Sequence, residues 1–117
     1  MRTLTDTVIG VLEAELTVGD GTGEGLTTPY VVVYPGTQSR DGTLDDGWSD
    51  VAKTFLAICE GTSREQAEWM ADKVESLLTG SALVVVAVNR ADVNRDDTTG
   101  DPSRWKAPVR VRVRDYA

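Results

Sequence analysis

SREQAEWMADKVESLLTG, running from Ser63 to Gly80, is the stretch whose reading decides the fold. Its apolar residues Ala67, Met70, Ala71, Val74, Leu77 and Leu78 recur every three or four positions and form one stripe at the helical period. Ser63 is suited to an N-cap, and Gln66 three residues on completes a capping-box pattern; Thr62 with Glu65 fits the same pattern one residue earlier. Gly80 stands where a left-handed residue is expected to end the helix. Strand-like apolar runs lie on both sides of this segment, and its stripe is the lid they need.

Toward the N-terminus, VAKTFLAICE (Val51–Glu60) reads as either helix or strand and is apolar on both alternating faces, through Phe55 and Ala57 on one and Leu56 and Ile58 on the other. Its length favours a central strand covered on both sides. YVVVY (Tyr30–Tyr34) is a strand that Pro35-Gly36 is expected to stop. Before it, VGDGTGEG places glycines at 19, 21, 23 and 25, misses G-x-G-x-x-G, and has no Lys-Ser/Thr for a P-loop. A flexible connection is the expectation there. Residues 3–17 read as a first helix with a stripe of Leu4, Val8, Val11 and Leu12 and with Thr3 or Thr5 as cap; Gly10 weakens it by about 1 kcal/mol relative to alanine.

Toward the C-terminus, ALVVVAV (Ala82–Val88) is β-branched and apolar on both faces, which predicts a strand inside the sheet. VRVRVR (Val109–Arg114) is the cleanest alternation in the chain, three valines on one face and three arginines on the other. The order is helix, strand, strand, helix, strand, strand. The expected fold is therefore α+β, with two helices packed on one face of a four-stranded, mainly antiparallel sheet. No internal repeat or linker divides residues 1–117, so one domain is expected.

Composition narrows the chemistry. With no histidine, Ser–His and Cys–His nucleophilic schemes are excluded, and the commonest metal ligand is missing. Cys59 is the sole cysteine and reads as a small buried hydrophobe. Asp92, Asn94 and Asp96 start like a calcium-binding EF-hand loop. However, Asp97 stands where that loop needs glycine and Ser103 where it needs glutamate, which leaves a solvated loop as the reading. Carboxylate pairs could be drawn from Asp45, Asp46, Asp96 and Asp97, but nothing in the sequence raises a pKa or builds a cleft. No enzymatic activity, cofactor or metal is expected. No apolar run approaches the roughly 20 residues that span a bilayer, so no membrane contact is expected. The N-terminus also lacks the basic start and apolar block of a signal peptide, which points to a protein made and kept in the cytoplasm or released by lysis.

Net charge is −7, but it is unevenly placed. Residues 101–117 carry five basic and two acidic side chains, a net +3, which leaves −10 on the rest. Arg110, Arg112 and Arg114 lie roughly 7 Å apart along one strand face and make a cationic row. A solvated sheet face, a subunit interface meeting acidic loops of a neighbour, and contact with DNA phosphate are the three readings of that row. The candidate interface residues are Arg110, Arg112, Arg114, Trp69 and Trp105, with Asp45 and Asp46 as the acidic counterpart. Arginine and tryptophan are enriched at such contacts.

PYVVVYPG at 29–36, VAKTFLAICEGTSREQAEWMADKVESLL at 51–78 and WKAPVRVRVRDY at 105–116 cover more than half the chain. In these segments it resembles the tail terminator proteins of long-tailed bacteriophages, particularly those infecting actinobacteria, whose genes are often labelled minor tail protein. The resemblance implies no reaction. It implies a homo-oligomeric ring, typically a hexamer, at the head-proximal end of the tail in the virion, assembled in the bacterial cytoplasm. Such a ring caps the tail tube, stops addition of tail tube protein, and presents a surface to the neck or head-completion protein. DNA would meet it only in transit through the lumen. The alternatives are a neck or head-completion protein, or a small binding module using the basic C-terminal strand.

Overall fold

A computed structural model describes residues 3–41, 50–95 and 104–115 of the chain. Helix α1 (Leu4–Glu13) starts on Thr3, whose hydroxyl accepts from the Asp6 N–H at 3.1 Å while the Asp6 carboxylate accepts from the Thr3 N–H at 3.4 Å. Helix α2 (Arg64–Thr79) starts on Ser63, whose hydroxyl accepts from the Gln66 N–H at 3.1 Å. The reciprocal half of that capping box moves back one residue. Gln66 Oε1 accepts from the Thr62 N–H and hydroxyl, so Thr62 and Ser63 share the cap.

Gly80 departs from expectation: its φ is −86°, not left-handed. Hydroxyls do the work of the missing turn, since Thr79 donates to the Glu75 carbonyl at 2.7 Å and Ser81 to the Leu78 carbonyl at 2.7 Å. Helix α1 is also shorter than residues 3–17, because the chain turns after Glu13 to enter a strand at Val18.

Among the described residues the sheet has six strands, two more than expected. They are β1 (Val18–Asp20), β2 (Tyr30–Asp41), β3 (Asp50–Gly61), β4 (Val85–Arg90), β5 (Asn94–Arg95) and β6 (Trp105–Asp115). The lateral order is β1-β2-β3-β6-β4, with β5 beside the start of β6. The four long strands match the expected α-β-β-α-β-β sequence, and each is antiparallel to its neighbours among them. The extra two come from segments that read as loops. VGD of the glycine-alternating segment runs parallel to Val31–Val33, and Asn94-Arg95 pairs with Lys106-Trp105.

Two further expectations are corrected. β2 does not stop at Pro35 but continues to Asp41, because a bulge between Pro35 and Gln38 absorbs the proline at an edge where its missing N–H is harmless. The ALVVVAV run is not interior: β4 lies at the sheet edge, because β6 inserts between it and β3.

Both helices cover one face. There Val8, Leu12, Val31, Val33, Phe55, Ala57, Cys59, Ala67, Met70, Ala71, Val74, Leu78, Val109, Val111 and Val113 form one buried cluster. β3 is central as expected, but its other side is covered only in part: Thr54, Leu56 and Ile58 there are half-buried, while Ala52 and Glu60 near the ends are buried. The molecule measures 53 × 28 × 23 Å, and its long axis is consistent with 12-residue strands of about 40 Å.

Candidate interaction surfaces

The alternation of β6 decides where its charges lie. Val109, Val111 and Val113 face α2 and are fully buried, so Arg110, Arg112 and Arg114 must project from the opposite face. Their cross-strand partners are Leu56, Thr54 and Ala52 on β3, while Asn89 and Ala87 on β4 flank Arg110 and Arg112. Arg110 is exposed, and Arg112 and Arg114 are half-buried in this row. Below Arg110, Pro108, Leu56 and Asn89 line a depression of about 170 Å³.

The far end of the same face is closed by the glycine-alternating segment. Gly21 and Gly25 take φ of 73° and 81°, conformations that side chains disfavour. Gly23 lies against the Tyr30 ring so closely that a Cβ there would sit 2.6 Å from it. Arg104 completes the clasp: it donates to the Tyr30 hydroxyl at 3.0 Å, with its guanidinium 5.8 Å from the ring centroid. The segment expected to be a flexible connection is thus a short strand and a packed strap.

The candidate interface residues do not converge. The arginine row is on the uncovered sheet face, whereas Trp69 is on the outer surface of α2, on the opposite side of the molecule. Trp69 is half-exposed, with the Lys73 ammonium 5.7 Å from its ring centroid and Lys73 also paired at 3.0 Å with Glu15, in the turn after α1. Trp105 is packed at the rim of the core, with the Arg95 guanidinium 5.4 Å from its ring centroid. Asp45 and Asp46 lie outside the described residues.

Sequence reasoning missed Arg90. From β4 it reaches across to α2 and pairs with Asp72 at 2.9 Å and Glu75 at 3.6 Å, tying the edge strand to the lid. Together with Arg64, Glu68, Asp92 and Asn94, Arg90 and Asp72 line a polar groove of about 590 Å³. The spacing of Asp72 and Glu75 on one helix face was visible in the sequence; their partner was not, since only β4–β6 pairing sets its position. Asn94, offered as an EF-hand position, instead donates to the Asp92 carbonyl at 3.1 Å and enters β5. Among the described residues no group of three or more acidic, cysteine or histidine side chains is placed to hold a metal. No helix among them is long and apolar enough to cross a membrane. Burial pushes the Cys59 thiol up to about 12, with nearby Glu60 adding to the shift and Arg90 opposing it.

What these features define is a two-layer α+β domain with both helices on one side of an open sheet. Over 97% of its length the chain shares this fold with a chain of the "virion of native gene transfer agent (GTA) particle". The superposition has a TM-score of 0.58, covers 84% of that chain and has 13% sequence identity, so the likeness is one of fold. No family model matches the chain, and no curated protein matches it.

Proposed function

We propose that this protein is a structural component of a phage-like virion, and within it the tail terminator: a ring that caps the tail tube, halts tube growth and offers a joint to the neck. The observation that carries the proposal is the fold shared, over nearly the whole chain, with a component of a gene transfer agent virion. The segments at 29–36, 51–78 and 105–116 that resemble tail terminators add the finer assignment. No reaction is assigned, since the chain lacks histidine and its one cysteine is buried and held protonated.

A ring requires a heterologous contact whose rotation closes. In this reading the partners are other copies of the chain, the tail tube protein and the neck or head-completion protein, with DNA passing through the lumen. The arginine row on β6 is the cationic surface that this chain offers to one of these partners.

The test is to add the purified chain to polymerising tail tube protein and to measure tube lengths and end structures in negative stain. Rings at tube ends and arrested growth are expected. Tubes that elongate unchanged would rule out a terminator, and salt-dependent retention of DNA by a monomer would point to the binding-module alternative. Arg110→Glu, Arg112→Glu and Arg114→Glu together locate the row. Weakened ring formation in light scattering places it between subunits. Intact rings that no longer bind tube place it on the tube contact, and intact rings with intact capping remove it from both.

A further inference from the structure

The four long strands alternate in direction across the sheet, β2 up, β3 down, β6 up and β4 down. The two outer long strands, β2 and β4, are therefore antiparallel. A second copy placed beside the first in the same orientation brings its β2 next to the first copy's β4 in antiparallel register, with the helices of both on one side. An odd number of long strands would not permit this.

Both edges are open at the same level. β1 covers β2 only at Val31–Val33, where the Val31 N–H donates to Thr17 and the Val33 carbonyl accepts from Gly21. Beyond Val33, no strand among the described residues flanks β2 on that side. Across the sheet, Pro35 aligns with Phe55, Phe55 with Val111, and Val111 with Val88, so β4 stands level with this uncovered part of β2.

The edges also share an irregularity. β2 carries one extra residue between Pro35 and Gln38, opposite Thr54; β4 carries one extra, Val86, beside Arg112, the partner of Thr54. An ordinary straight strand would lose register against either bulge, which guards both edges against promiscuous pairing. A copy of this chain presents bulge to bulge.

Exposed apolar area marks the same two edges. Among the described residues the exposed large hydrophobics are Tyr34 (38%), Val84 (40%), Val86 (41%) and Trp69. Three of these four lie on β2 or at β4.

We infer that copies of this chain join head to tail by sheet continuation, the β4 edge of one copy (Val84–Arg90) pairing with the β2 edge (Tyr34–Asp41) of the next. This deepens the ring reading and rests on it for closure; the joint itself rests on strand direction, matched bulges and exposed apolar residues. Main-chain hydrogen bonds would hold the joint, as in other strand additions. The arginine rows of successive copies would then line one side of the assembly and the α2 helices the other.

The experiment uses the full chain and two edge variants, Val84→Lys with Val86→Lys, and Tyr34→Lys, compared by sedimentation at the concentration where the unsubstituted chain forms rings. Each variant alone is expected to be monomeric, with at least a tenfold higher concentration needed for assembly. A mixture of the two retains one intact edge of each kind and is expected to stop at two copies. Either variant closing rings alone overturns the joint and leaves the ring reading standing. A two-copy species from one variant alone means an edge pairing with itself, which also overturns the joint. Should the unsubstituted chain stay monomeric both alone and on tube ends, ring and joint fall together. Hydrogen exchange on the unsubstituted chain needs no variant to fold: assembly should slow the amides of Val85–Arg90 and of residues 36–41 at least tenfold relative to those of β6. Unchanged exchange at both edges in assembled rings overturns the joint.

Discussion

The two faces of the sheet are built by the same strands and differ in what covers them. On one face Phe55, Ala57, Cys59, Val109, Val111 and Val113 are at most 3% exposed beneath two helices. On the other, one residue along each strand, Thr54, Leu56, Ile58, Arg110, Arg112 and Arg114 are half-buried or exposed. Apolar content does not separate them at β3, where Leu56 and Ile58 are larger than Ala57 and Cys59. The amphipathic α2 stripe separates them, because it can seal only one side. The face left over carries the chain's charge row and runs to both open edges; Tyr30, Val32, Ala52 and Glu60 are buried on it, so surface and scaffold divide along the pleat only across its middle.

The largest test of this contrast is a pair of truncations in β3. Phe55→Ala removes a ring from the sealed face and should destabilise by about 3–5 kcal/mol in urea unfolding. Leu56→Ala, one residue away, should cost no more than about 1 kcal/mol. Equal losses would mean that the second face is also a core.

Cys59 sharpens the same point through pH. Its thiol pKa lies at about 12 in the fold, against 9.0 for the ordinary group, because burial penalises the thiolate. The folded state therefore holds a proton that the unfolded chain releases. That contribution is complete below about pH 9 and is lost from there toward pH 12, at about 1 kcal/mol per pH unit. Comparing alkaline unfolding of the unsubstituted chain with Cys59→Ala isolates this slope, and a thiol reagent at neutral pH should react only once urea opens the core.

Smaller effects probe the lid. Ser63→Ala deletes the α2 cap and should cost about 1 kcal/mol in thermal or urea unfolding. Asp72→Asn leaves Arg90 its Glu75 contact, and the Arg90–Asp72 pair is solvent-facing. A change within about 0.5 kcal/mol is expected. A larger loss would make the β4–α2 tie a structural element rather than a surface contact.

Local rules carried much of the fold. The α2 stripe, the Thr3 and Ser63 caps and the Val/Arg alternation of β6 were legible because each depends on residues within a few positions of one another. The candidate site was less legible. Trp69 and Trp105 look equivalent as aromatics, yet one lies on the exterior of the lid and the other at the core rim under Arg95. Arg90 gave no signal at all, since its partners Asp72 and Glu75 come from a helix that precedes its strand.

By itself the sequence determined the α+β class, the order of the long elements, the sealed stripe and the absence of histidine chemistry. Only the tertiary structure decided that the last strand inserts beside β3, that the valine-rich β4 is consequently an edge, and that β2 passes its proline through a bulge. Periodicity and capping are short-range and are written in neighbouring residues. Lateral strand order is fixed by hydrogen bonds between segments dozens of residues apart, and an apolar strand has the same composition at the centre of a sheet as at an edge awaiting a partner.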